Sequence, residues 1–260
     1  MTGMMILVSA VATAGAMAVV GWALPGFDMA GPRPGTRIAL LVPQLEVTVI
    51  FVLGLPFWSQ GLAAERSPAL RAALAATARG RLQAVTRGAA GRLLTVAEVL
   101  VGGAIAWIPV MLLSSGPSPA SVLRTRLVII AFAVFAVGLG LWLSGRCRGA
   151  LAAAAAATSA LVVMMATPFA IAPLLSTFGT HWLVVQAAVL VSPWVVAAGI
   201  TGLDLVHMQW MYALSPLGHV ELAYPGLLFA TLAYGGAGVT LLLAAARALR
   251  PARTTLGGFR

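Results

Sequence analysis

Long apolar stretches alternate with short polar ones along the chain, and this pattern predicts a series of membrane-spanning helices. A helix needs about 20 mostly apolar residues to cross the hydrocarbon core of a bilayer. Six stretches have that length, so we predict an all-α polytopic membrane protein with six transmembrane helices in a single domain, residues 1–260. The predicted spans cover about Met4 to Leu24, Ile38 to Trp58, Leu93 to Leu113, Val122 to Leu143, residues 150–175 and Leu227 to Leu249.

A further apolar stretch, residues 181–204, is interpreted as a re-entrant segment. Pro193 in its middle lacks a backbone donor and interrupts a helix. The turn with Arg146 and Arg148 and the tail from Arg247 onward both have the basic composition of cytoplasmic segments, so an even number of spans must separate them. We therefore expect residues 178–226 to form an external re-entrant and cap region, with both termini in the cytoplasm.

Ionisable residues in this cap have roles that the sequence leaves open. They are Asp204, His207, His219 and Glu221. Asp204 and His207 would share a helix face, because they are three positions apart. A metal site needs three or four convergent ligands, and this spacing alone does not supply them, so no metal site is predicted.

The composition excludes a soluble protein and restricts the chemistry. The chain is 61% hydrophobic and 8% charged, with a mean hydropathy of +1.01, whereas a soluble domain carries far more charge. The net charge of +10 lies in loops, where topology and anionic lipid account for it without nucleic acid. All 16 basic residues are arginine, and a Walker A loop needs a lysine. We therefore expect no enzyme activity and no cofactor in this chain.

A basic segment, residues 60–92, separates the second and third predicted spans. Because cytoplasmic loops are rich in basic residues, we predict that the segment is a cytoplasmic loop. Its arginines are Arg66, Arg71, Arg79, Arg81, Arg87 and Arg92.

Polar residues inside the predicted spans are candidates for a substrate path. Gln44 and Glu46 fall in the second span and Glu98 in the third. A carboxylate at the centre of a membrane helix costs about 2.5–3.5 kcal/mol on insertion scales, so such groups usually face protein or water. Two interpretations stay open for the carboxylates: a role in substrate passage or proton coupling, and a role in helix packing.

The order of these segments resembles the permease subunit of a type-2 ABC exporter over nearly the whole chain. The family's cytoplasmic loop is matched by Glu65, Leu70, Leu74 and Thr77, with Gly91 and Arg92 before the third span. The turn LSGRCRGALAAAA and the ending SPWVVAAGI … YALSPLGHVELAYPG resemble later parts of the family pattern. The chain departs from that pattern at Pro68-Ala69 and at Ala78, where the family has glycine and proline, and it lacks the usual amphipathic helix before the first span.

The resemblance implies an ATP-driven exporter of a lipophilic, drug-like or lipid substrate. Its implied partners are separate ABC ATPase subunits, which hold ATP and Mg²⁺, a second permease copy or a homologous permease, and membrane lipid. Its implied location is a bacterial cytoplasmic membrane. The implied coupling residues, on a helix that docks on the ATPase, are Glu65, Arg66, Leu70, Arg71, Leu74 and Thr77.

Two alternatives remain open at this stage. The apolar stripe of Leu70 and Leu74 also suits an amphipathic helix that lies on anionic lipid. A membrane scaffold or regulatory subunit that transports nothing would also have this composition.

Overall fold

The structure, a computed structural model, describes residues 42–64, 77–113, 119–147, 149–201 and 223–248. Every regular element in these ranges is helical. The predicted first span, five of the coupling residues and the ionisable residues of the cap lie outside the described residues. The residues concerned are 4–24, Glu65, Arg66, Leu70, Arg71, Leu74, Asp204, His207, His219 and Glu221.

Eight helices make up the described residues. In chain order they are α1 (residues 42–64), α2 (Ala78–Leu113), α3 (Pro119–Arg146), α4 (Ala150–Ala166), α5 (Ala172–Thr177), α6 (Trp182–Leu190), α7 (Pro193–Thr201) and α8 (Leu227–Ala248).

Four of the described helices are long and apolar enough to cross a membrane. Their candidate spans are Val42–Gln60, Arg79–Ile105, Val122–Arg146 and Leu227–Ala248. The pair α6 and α7 adds a fifth if it counts as one span. The chain is therefore a multi-pass helical membrane protein, as the hydropathy pattern predicts. The predicted fifth span corresponds to α4, a shorter apolar helix that continues through a π-helical segment into α5.

In the described part of the chain, two π-helical segments interrupt the regular helices, and each is associated with proline. In α1 the segment is Val49–Gly54, where the Leu55 N–H donates to the Ile50 carbonyl, five residues back; Pro56 follows directly. The second segment, Thr167–Ile171, contains Pro168 and links α4 to α5. Since proline has no N–H and its ring crowds the preceding turn, a wider π turn accommodates it.

Helix occupies both ends of the segment at residues 60–92, which is predicted to be a cytoplasmic loop. Helix α1 continues to residue 64, and α2 begins at Ala78. Thr77 caps α2, since its Oγ1 accepts a hydrogen bond from the Gly80 N–H at 3.0 Å. Arginine and alanine both favour helix, so charge marks where the apolar span ends and not where the helix ends. Val85 and Ala89 of this basic part are buried in the core.

Helix α3 lies at the centre of the bundle and contacts α1, α2, α4, α7 and α8. Its closest neighbour is α8, which it meets through glycine. A Cβ built on Gly138 would lie 3.2 Å from the Cα of Gly238. Small residues let membrane helices approach this closely and gain van der Waals contact.

Helices α6 and α7 form a sharply bent pair. Their axes meet at 91° across a break at Val191 and Ser192, directly before Pro193. The break keeps some backbone hydrogen bonds, since the Ser192 carbonyl accepts from the Val196 N–H at 3.1 Å. The predicted interruption at Pro193 is confirmed, and the pair resembles a re-entrant segment.

Candidate functional site

A buried ion pair joins α1 to α3. The Arg126 guanidinium donates to Oε1 of Glu46 at 2.5 Å. The side chain of Glu46 is 2% exposed and that of Arg126 is 17% exposed, so both charges are largely removed from solvent. Charges in such positions pair with each other because neither lipid nor apolar protein can compensate them.

Helix α2 completes this site with a glycine. A Cβ added to Gly103 would overlap Oε1 of Glu46 and would lie 3.1 Å from its Cδ. A residue with a side chain at this point of α2 would therefore displace the carboxylate from its observed position. The ion pair thus lies where α1, α2 and α3 meet.

A second group of polar contacts holds α7 against the other side of α1. The Trp194 indole Nε1 donates to Oγ1 of Thr48 at 2.9 Å, and that hydroxyl donates to the Gln44 carbonyl at 2.7 Å. The Trp194 ring also packs against Phe51, with ring centroids 5.5 Å apart. Gln44 and Glu46 are about 200° apart around the helix axis, so α1 presents a polar contact on each of two opposite sides.

The Gln44 side-chain amide engages the backbone of α7. With its nitrogen directed to the Trp194 carbonyl at 3.1 Å, its oxygen accepts from the Ala198 N–H at 2.9 Å. A regular α-helix pairs those two backbone groups with each other. The amide of Gln44 therefore bridges a carbonyl and an N–H that lie one turn apart on α7, and both ends of the amide are paired.

Helix α8 contacts the bend itself through Tyr234. The Tyr234 hydroxyl lies 2.9 Å from the Leu190 carbonyl and 3.1 Å from that of Val191, and donates to these two oxygens. Phe132 and Phe135 of α3 meet the Tyr234 ring edge-on, with centroids 4.6 and 5.5 Å away. Two carbonyls left without helical partners at the end of α6 are thereby satisfied.

The structure separates the three predicted substrate-path residues. Gln44 and Glu46 both lie in buried polar contacts, but they face different neighbours. Glu98 lies on α2, five positions before Gly103, and therefore about 140° around the helix from the ion pair. Within the described residues, no group of three or more His, Cys, Asp or Glu side chains is placed to hold a metal ion.

The sequence prediction missed Arg126, Gly103, Trp194 and Tyr234 as members of these contacts. The fourth predicted span begins at about Val122 on the predicted external side, so Arg126 falls near its outer end. A signal for the ion pair was present, since Glu46 and Arg126 each lie a few residues inside a span that starts on the same predicted side. Gly103 carries no comparable signal, because the sequence has 28 glycines.

Arginines mark the opposite end of these helices. Arg146 in the last turn of α3 lies over the Trp142 ring, 5.3 Å from its centroid. Arg92 of α2 donates to the Gly88 carbonyl at 2.7 Å, and the last turn of α8 carries Arg247. Thr77, the one predicted coupling residue among the described residues, is exposed at this end as the cap of α2.

Comparisons with known proteins give no further assignment. The chain matches no family model, no curated protein and no solved structure.

Proposed function

We propose that this chain is the transmembrane permease subunit of an ATP-driven exporter, with ATP hydrolysis on a separate subunit. The observation that carries the proposal is the continuity of α2. This helix begins at the exposed Thr77 cap, continues through the arginine-rich part and reaches the buried ion pair at Gly103. A rigid helix of this kind can convey a displacement from a soluble partner into the membrane domain.

The bent pair before the last helix supports the same proposal. A short irregular segment at membrane depth is stable only where protein satisfies its backbone, and here Tyr234 does so at the end of α6. In the proposed topology six spans cross the membrane, and α6 and α7 re-enter from the external side. The arginine-rich ends of α2, α3 and α8 then face the cytoplasm.

In this proposal the composition of the chain indicates which subunit binds the nucleotide and which subunits enclose the substrate path. The chain contains no lysine for a phosphate loop, so nucleotide and Mg²⁺ belong to the partner ATPase. Two permease copies, or this chain and a homologous permease, would enclose a path for a lipophilic substrate. Rocking of the halves would expose that path to each side in turn.

Affinity purification from the native membrane in a gentle detergent tests the proposal directly. We expect a soluble subunit with a Walker A lysine to co-purify in stoichiometric amount, with ATPase activity in the complex. Recovery of the chain alone, or with membrane proteins that hydrolyse no ATP, would contradict the exporter and favour a scaffold subunit.

The predicted coupling residues provide a second test. Replacement of Glu65 and Arg66 by alanine should abolish export and leave membrane insertion unchanged. Arg87→Ala is the matched control, because it removes an exposed arginine from the same basic segment. Equal export by both variants would contradict the coupling role.

A further inference from the structure

The ion pair joins two helices of the bundle, and its carboxylate lies against a third. We propose that Glu46 and Arg126 form a latch, by which we mean an ion pair that holds α1 and α3 together. In this proposal α2 controls, through Gly103, whether the two side chains can pair. Arg126 and Gly103 are then positioning residues of the transport cycle. The latch rests on geometry, whereas its link to ATP rests on the proposed function.

The ion pair favours two discrete arrangements of the helices. In the observed one, the carboxylate and the guanidinium are paired, the carboxylate is buried and the guanidinium is largely buried. Separation of the two charges leaves each uncompensated unless water or another group reaches it. The helices α1 and α3 therefore separate around the ion pair only when water reaches both charges. A gate on an aqueous path opens in the same way, because its opening admits water.

Gly103 makes the closed arrangement depend on the position of α2. The carboxylate occupies the space that a Cβ at position 103 would need. Val99 and Leu100, about one turn earlier on the same side of α2, have large side chains. A shift of α2 that moves Gly103 from Glu46 therefore brings a side chain against the carboxylate and disfavours the pair.

Helix α2 also connects this point to the basic end of the protein. It is one α-helix from Ala78 to Leu113. At 1.5 Å per residue, the distance from the Thr77 cap to Gly103 is about 39 Å. A displacement of the cytoplasmic segment would reach the ion pair along this helix, without an intervening loop to absorb it.

Cysteine accessibility in the chain alone tests the latch. The parent variant combines Cys147→Ser, which removes the sole cysteine of the sequence, with Val42→Cys. Val42 is fully buried and lies one helical turn from Glu46. The protein is reconstituted in sealed vesicles and treated with a membrane-impermeant thiol reagent on the side predicted to be external.

Three changes are compared in that parent. Gly103→Ala and Arg126→Gln should each raise the labelling rate by about tenfold or more, because each leaves Glu46 without its paired arrangement. Gly91→Ala, on the same helix with no atom within 4 Å of the new Cβ, should keep the parent rate. An unchanged rate in Gly103→Ala, or an equal rise in Gly91→Ala, would overturn the latch.

A second cysteine position separates local opening from unfolding. Ala245→Cys replaces a fully buried residue near the other end of the bundle, and it should stay protected in every variant. Loss of protection at both cysteines in Gly103→Ala would show that the pair only supports the fold, and would overturn the latch.

The link to ATP is tested in the complex with the co-purified ATPase. ATP should change labelling at position 42 in the Gly91→Ala protein and leave it high and constant in Gly103→Ala. If the chain alone behaves as a latch but ATP has no effect on either protein, the latch stands and the exporter proposal fails. If ATP changes labelling equally in both proteins, control through Gly103 is overturned.

Discussion

Gly138 of α3 and Gly238 of α8 meet backbone to backbone. The Cβ of an alanine at position 238 would lie 2.7 Å from both the Val134 carbonyl oxygen and the Phe135 nitrogen. Because these atoms belong to the backbone of α3, they cannot move aside as a flexible side chain can. The contact fixes the position of α8, the helix that contributes Tyr234 to the bend.

Gly238→Ala should therefore destabilise the protein by about 1–3 kcal/mol, the usual cost of overpacking. The matched control is Gly236→Ala on the same helix, where the added Cβ has no atom within 4 Å. The control should be neutral or slightly stabilising, since alanine favours helix over glycine. Unfolding in mild detergent measures both variants, and equal midpoints would contradict the close contact.

The hydrogen bond between Trp194 and Thr48 should appear as an energetic coupling. A double-mutant cycle with Trp194→Phe and Thr48→Val should give about 0.6 kcal/mol, the average for such bonds inside membrane proteins. Thr231→Val serves as the control partner, because the Thr231 hydroxyl bonds within its own helix to the Leu227 carbonyl. A coupling to Thr231 as large as that to Thr48 would argue against the direct bond.

Tyr234→Phe removes the hydroxyl that holds the bend and keeps the ring between Phe132 and Phe135. Amide hydrogen exchange at the end of α6 and the start of α7 should accelerate by up to about tenfold, because a hydrogen bond contributes about 0.5–1.5 kcal/mol. Thr240→Val removes another hydroxyl from α8, one that donates to the Gly236 carbonyl of its own helix, and should leave this exchange unchanged. No acceleration in Tyr234→Phe would mean that the bend is held without the hydroxyl.

Thr77→Ala should loosen the start of α2, at a cost of about 1 kcal/mol for the lost cap. We expect faster hydrogen exchange at the amide of Gly80, which is the donor to the Thr77 hydroxyl. Thr77→Ser retains an oxygen that can accept this bond and is the matched control. If the serine and alanine variants exchange equally fast, the hydroxyl is not the cap.

Cys147 provides a natural probe of topology. It is the single cysteine of the sequence, and it is partly exposed in the turn between α3 and α4. In intact cells it should react with a membrane-permeant maleimide and resist an impermeant one. A cysteine placed at position 255 in a Cys147→Ser background should behave in the same way. Opposite behaviour of the two positions would show that α6 and α7 together cross the membrane.

Apolar length and proline position were sufficient to predict much of the fold. The hydrophobic stretches located the described membrane helices, and Pro193 located the bend. The limits of α2 were not predictable from hydropathy, because Val85 and Ala89 pack in the core within an arginine-rich sequence. Helix propensity and packing decide where that helix begins, whereas hydropathy reports only where it becomes apolar.

The candidate site was predictable only in part. Glu46 and Gln44 stand out because polar groups are rare in apolar spans. Their partners could not be assigned, since Arg126 comes 80 residues after Glu46 and Trp194 comes 146 residues after Thr48. Contacts at that separation depend on how the helices pack, and a single sequence does not specify this packing.

The π-helical segment of α1 has a consequence for how this helix can change in length. Its buried positions recur about every four residues, at 42/43, 46/47, 50/51, 55 and 58/59, whereas a regular α-helix repeats every 3.6 residues. The wider turn at Val49–Gly54 absorbs the difference. Loss of one residue there would leave the buried face aligned on a regular helix, while loss elsewhere would rotate half of that face by about 100°. In evolution, this turn is where α1 can gain or lose a residue without being repacked.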